Sequence, residues 1–191
     1  MERTIIGFLF FLSLVSCQEK TSFDSVAEYR QWIYSEESGY LQTVEKEGLV
    51  FELVYLPQAL QQNKMFAKEA DSILDLSFQL KISTTEQEEL LKRNLGSQES
   101  YQGRIKQLEF QMERLFYAQV PEQIKPSFSH YENFRGIKNE ILVHVHFSIP
   151  SQLKSDVQVF FKDEVFQTGT HQFNFDQNKI LHPPILNLKA S

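Results

Sequence analysis

Of the side chains in this chain that could do chemistry, His144 and His146 stand out. They lie two apart in a segment where Ile141, Val143, Val145, Phe147 and Ile149 alternate. In a strand, that spacing puts both imidazoles on one face, opposite the apolar row, as two metal ligands would need. A zinc site needs at least a third protein ligand. The other histidines, His130, His171 and His182, are placed by no pattern, and the single cysteine, Cys17, lies in an N-terminal apolar segment. His144 and His146 are thus metal candidates by geometry alone, and polar contacts on a solvent face or between strands are the expected role. Asn174, Asp176 and Asn178 imitate the first ligands of a calcium loop, but Lys179 stands where the loop needs Gly and Ile185 where it needs a bidentate Glu. An ordinary turn is expected there. Glu109 and Glu113 are spaced for one helical turn, yet acid/base work needs a cleft and a raised pKa, and a solvated face is the simpler reading. Gly-x-Ser-x-Gly, Walker, dinucleotide and His-Glu-x-x-His patterns are absent, so no catalytic residue and no cofactor is assigned.

The elements that must position these groups are mostly strands. Leu74, Leu76, Phe78, Leu80 and Ile82 alternate with polar residues and predict a central strand, and residues 141–149 predict a second. Residues 40–44 and 49–56 flank a turn at Gly48 and predict a hairpin. Short strands are expected at 157–161, 165–166 and 171–175, with a turn at 162–164. Ser25 with Glu28 forms a capping box, so a helix should begin there and end near Gly39, with Trp32 packed on the main body. Pro57 suits the first turn of a helix to about residue 69, and Thr85 with Glu88 predicts another over 85–95, ended by Gly96. A loop is expected over 98–103. Residues 104–117 fit both periods; Gly103 argues against a long preceding helix, so a strand from about Leu108 is favoured, with residues 124–131 as a hairpin partner. Phe160 and Phe161 are adjacent and must face opposite sides of any strand, so an exposed one would suggest a partner patch. The expected fold is mostly β: an antiparallel β-sandwich, immunoglobulin-like or related, with an N-terminal helix and short peripheral helices.

Residues 5–15 form an apolar run after Arg3, with small Ser16 just before Cys17, the pattern of a secretory signal. A membrane-spanning helix needs about 18 apolar residues, so this run targets but does not span. Leu14-Val15-Ser16-Cys17 resembles the lipobox of bacterial lipoproteins, in which the signal is cut before the cysteine and the cysteine carries acyl chains. An exported chain with one Cys has no intramolecular disulfide to form, and lipidation accounts for the thiol. The expected organisation is a signal peptide at 1–16, a lipidated tether at 17–23 and a single β-rich domain at 24–191. Removing the signal leaves about 175 residues, enough for one real core. The 41% hydrophobic content is that of a folded chain.

A net charge of −6, with no basic cluster longer than Lys92-Arg93, excludes nucleic acid as a partner. The same acidity would repel anionic headgroups, leaving the acyl chains on Cys17 to hold the membrane. Cys17 after its lipobox, Gly48 with Tyr55-Leu56-Pro57, the alternating strand 74–82, and Asp163-Glu164-Val165-Phe166-Gln167-Thr168-Gly169 with Phe173-Asn174-Phe175 together resemble small lipoproteins of Gram-negative bacteria of the Bacteroidetes type. The resemblance implies lipidation and export and carries over no activity or catalytic residue. The expectation is a lipoprotein anchored in the bacterial cell envelope, with the outer membrane favoured, acting as a binding or structural module for an envelope protein or glycan. An envelope hydrolase or metal-dependent enzyme on the same scaffold, and a carrier of an apolar ligand, are the alternatives.

Overall fold

Two long strands form the middle of the protein, and their pairing follows from their alternation. In the computed structural model, which describes residues 21–61, 72–132 and 138–187, β4 (Ile73–Thr84) runs antiparallel to β8 (Glu140–Pro150). Leu76 lies opposite Phe147, Phe78 opposite Val145, Leu80 opposite Val143 and Ile82 opposite Ile141. All eight side chains are fully buried, because one shared register turns every apolar position to the same side. The hairpin of β2 (Leu41–Lys46) and β3 (Leu49–Tyr55) adds to the other edge of β4. Its turn needs a left-handed backbone at Glu47 and Gly48, with φ of 53° and 73°. With β7 (Phe128–Glu132) outside β8, the large sheet has the order β2-β3-β4-β8-β7.

The smaller sheet has the order β10-β9-β5-β6, from β5 (Phe116–Val120), β6 (Glu122–Ile124), β9 (Val157–Asp163) and β10 (Gly169–Phe175). The two sheets pack face to face through aromatic rings. Phe51 meets Phe161 at 6.1 Å between centroids, and Phe78 meets Phe175 at 5.0 Å. The protein is therefore mostly β, an antiparallel sandwich. A third, two-stranded element pairs β1 (Ser22–Phe23) in parallel with β11 (Ile185–Leu186). β1 takes up the last two residues of the segment expected as tether. Cys17 and the whole signal segment lie outside the described residues.

Helices close the ends. Ser25 caps α1 (Val26–Ile33), accepting a hydrogen bond from the Glu28 amide at 3.2 Å, as the capping box predicts. The helix stops at Tyr34, short of Gly39, and Glu36–Ser38 form a separate 3₁₀ turn before Gly39 at φ 71°. Trp32 packs against Phe23 and Tyr40, at 5.2 and 5.5 Å.

Several local expectations are corrected. Residues 85–95 form no α-helix beyond a 3₁₀ turn at Leu90–Lys92. The Thr84 hydroxyl accepts from the Glu86 amide at 3.0 Å, and the Thr85 amide donates to the Gly48 carbonyl at 3.1 Å, so the would-be cap ties the chain to the hairpin turn instead. Residues 98–110, expected as loop and then strand, are helix α2 (Gln98–Phe110), whose cap Ser97 accepts from Ser100 N at 3.2 Å. Arg104 and Leu108, four apart, are its buried residues, and a guanidinium on the inner face hid the stripe. A 3₁₀ turn at Met112–Leu115 delays β5 to Phe116. Only β6 returns against β5; β7 crosses to the large sheet. Residues 165–166 lie in the β9–β10 loop and not in a strand, β9 running on through Asp163. After Pro57 the chain makes a 3₁₀ turn at Gln58–Leu60; the rest of the helix expected there, 62–69, lies outside the described residues. α3 (Gln177–Leu181) completes the elements.

Candidate functional site

The outer face of the large sheet carries the polar positions of β4, β8 and β7 in two cross-strand rows. In one row Gln79 lies opposite His144 and His144 opposite His130. In the other, Ser77 lies opposite His146 and His146 opposite Phe128. Directly opposed residues share a face, so the three histidines, the glutamine and the phenylalanine project together. Arg30 and Tyr34 from the end of α1, with Leu56, Leu60 and Gln61 after β3, rise beside them. The result is a groove of about 450 Å³.

Hydrogen bonds fix several of its side chains. The Tyr34 hydroxyl donates to Gln79 Oε1. His144 Nε2 lies 2.7 Å from Glu132 Oε1 and 3.3 Å from Gln79 Nε2. A carboxylate only accepts and an amide nitrogen only donates, so the shorter contact is the hydrogen bond, and the His144 proton sits on Nε2. Ser77 Oγ meets His146 Nδ1 at 2.8 Å. Burial, and then the neighbouring His144, hold His146 below the ordinary histidine value, with Asp75 opposing. Burial foremost pushes the Tyr34 phenol up, Arg30 working against it and Glu132 with it. On β7, Phe128 is 42% exposed, and its ring is parallel to that of His130 within 12° at 6.5 Å.

His144 and His146 therefore share a face, as their spacing predicts, and His130 joins them. Among the described residues no three His, Cys, Asp or Glu side chains are grouped to hold a metal ion. His182 lies in an exposed loop. His171 is in the core, where its Nε2 meets the Thr168 hydroxyl at 2.7 Å and its ring stacks on Phe51 at 4.1 Å. Thr168 in turn donates to Asp163 at 2.6 Å. All three residues are 3% exposed, so this chain of polar groups is an internal clamp out of reach of a substrate. Asp176 caps α3, accepting from the Asn178 amide at 2.7 Å, so the calcium-like run is helix-capping chemistry. Glu109 and Glu113 are both exposed and belong to different elements, α2 and the turn after it. Phe161 is buried, while Phe160 stacks on Tyr117 at 4.6 Å on the other side of its sheet.

Phe128, Glu132, Gln79, Ser77, Tyr34 and Arg30, with Leu56, Leu60 and Gln61, are groove residues that sequence reasoning missed. Phe128 and His130 are two apart in the strand expected over 124–131, with Glu132 just past it, and the missing information is the register of that strand against β8. The fold and the groove define an antiparallel β-sandwich with a polar and aromatic recess on one outer face. No protein-family model, curated protein or solved structure matches the chain. Among the described residues no helix is long and apolar enough to cross a membrane.

Proposed function

We propose that this protein is a lipid-anchored component of the bacterial cell envelope, held by acyl chains on Cys17, that works as a binding module. The observation that carries the binding half is the groove. It gathers amide, phenol, imidazole, guanidinium and carboxylate groups beside an exposed ring, the composition of a ligand site with a few placed polar groups. The hydrolase reading finds one contact in its favour, Ser77 with His146. That serine is 2% exposed, which leaves its hydroxyl little surface to offer a substrate. The carrier reading meets an interior already filled by Phe51, Phe78, Phe147, Phe161, Phe173 and Phe175.

The anchor half rests on Leu14-Val15-Ser16-Cys17. Cys17→Ser should abolish acyl labelling and release the protein from membranes, with its thermal midpoint unchanged; retention of that variant in the membrane fraction rules the anchor out. For the binding half, a photo-crosslinking residue at position 130 should trap a groove-dependent product in intact envelopes. A yield no higher than from the same residue at position 117, on the other sheet, rules that half out.

A further inference from the structure

We infer that the groove on the outer face of the large sheet is a saccharide site, its ligand a short, uncharged sugar chain. The inference rests on the binding-module reading and gives it a ligand class. Charge comes first. Among the described residues of the lining, Arg30 and Glu132 are the only Lys, Arg, Asp or Glu side chains, and they offset each other. The groove therefore does not favour a strongly anionic or cationic ligand.

Hydrogen-bond character narrows the class further. With the Tyr34 proton given to Gln79, the groove still offers the Tyr34 oxygen as an acceptor and the Gln61 and Gln79 amide N–H groups as donors. Phosphates and carboxylates ask only for donors and ammonium groups only for acceptors, whereas sugar hydroxyls use both at once. The third argument is ring surface. Phe128, 42% exposed with the parallel ring of His130 beside it, gives the groove aromatic surface, and the faces of such rings are the negative side of a quadrupole. The polarised C–H groups on the flat side of a pyranose fit that surface. Preorganisation adds to this: Glu132 holds His144, Ser77 holds His146 and Gln79 engages Tyr34 before any ligand arrives, which lowers the ordering cost of binding. A peptide adding to a sheet uses the backbone of an edge strand. Here the groups are side chains spread over three strands and a helix.

The test is saturation-transfer NMR on the full chain in a sugar-free detergent, with chitotriose, cellotriose, maltotriose and mannotriose as probes and a pool of unstructured octapeptides in parallel. At least one trisaccharide should receive saturation at its ring C–H protons. Phe128→Ala and Gln79→Ala should each weaken it about tenfold or more. Tyr117→Ala, on the other sheet, should leave it unchanged, and thermal melts should show each variant folded. A saccharide signal indifferent to both groove variants overturns the inference. Peptide signals lost in Phe128→Ala, with none from the saccharides, overturn the ligand class and leave the binding module standing; silence from both probe sets overturns the two together.

Discussion

At the residue scale, Asp163 organises more of the molecule than any groove residue. Its Oδ1 accepts from the amides of Val165 and Phe166 at 3.0 and 2.9 Å, and its Oδ2 from the Thr168 amide and hydroxyl at 3.1 and 2.6 Å. One buried carboxylate thus satisfies three amides and a hydroxyl of the β9–β10 loop, in which Gln167 has φ 63°. Asp163→Ala leaves two buried amides and the half-buried Phe166 amide without that acceptor and should cost about 3 kcal/mol or more in urea unfolding. Asp163→Asn, which still offers one oxygen, should cost less. His171 at the end of the same chain gives a pH dependence. The Thr168 hydroxyl proton goes to Asp163, so His171 Nε2–H is the donor to Thr168. Burial foremost holds His171 below the ordinary value, with Asp163 pulling the other way and Lys46 adding a smaller push down. The unfolded chain binds the proton more readily, so this contribution to stability is full above the ordinary histidine value and is lost as pH falls through it. His146, shifted in the same direction, adds to the loss. Urea midpoints should decline from about pH 7.5 to 5.5. His171 and His146 imidazole signals that titrate at or above the ordinary value would rule this source out.

At the scale of elements, α2 shows where local pattern stops informing. Its two buried side chains are Leu108 and Arg104, and the guanidinium is satisfied by the Leu91 and Arg93 carbonyls at 3.1 and 2.8 Å and by the Phe166 ring at 4.7 Å. An amphipathic stripe with arginine at its centre is invisible to a count of apolar residues. Gly103 weakens the helical pattern further, since glycine in a helix interior is unfavourable and reads as a boundary. Its backbone is not left-handed, and a Cβ built there meets nothing within 4 Å. Gly103→Ala should therefore stabilise the protein by about 0.5–1 kcal/mol, seen as a raised thermal midpoint. A lowered midpoint would mean that the helix needs the glycine for a close approach. By contrast β4, β8 and the β2–β3 hairpin were legible because strict alternation and a turn glycine are local signals. So was the shared face of His144 and His146. The groove around them was not, because it depends on β7 leaving β6 for the other sheet and on α1 reaching over from the N-terminus.

At the scale of the whole molecule, the two ends of the described chain are tied together, and the tie bears on how an anchor would act. β1 supplies two residues, yet the Thr21 and Phe23 carbonyls accept from the Ile185 and Asn187 amides at 3.0 and 2.8 Å. The Phe23 ring is 2% exposed and stacks on Tyr29 at 4.8 Å. The chain between Cys17 and this clasp is only about 13 Å long when extended. A pull on a lipidated Cys17 would therefore load Phe23, the aromatic cluster of α1 and β11, before it reached either sheet. Phe23→Ala removes the ring from a filled site and should cost about 3–5 kcal/mol. It should also release β11, raising hydrogen exchange at the Ile185 and Asn187 amides above that of β4 and β8. Thr21→Ala, which keeps the backbone acceptor, should change stability by no more than about 0.5 kcal/mol. If Phe23→Ala unfolded the sandwich with no earlier exchange at Ile185 and Asn187, the clasp would be one cooperative unit with the core. Selective exchange there makes it a separate latch, the first element to yield under load from the anchor.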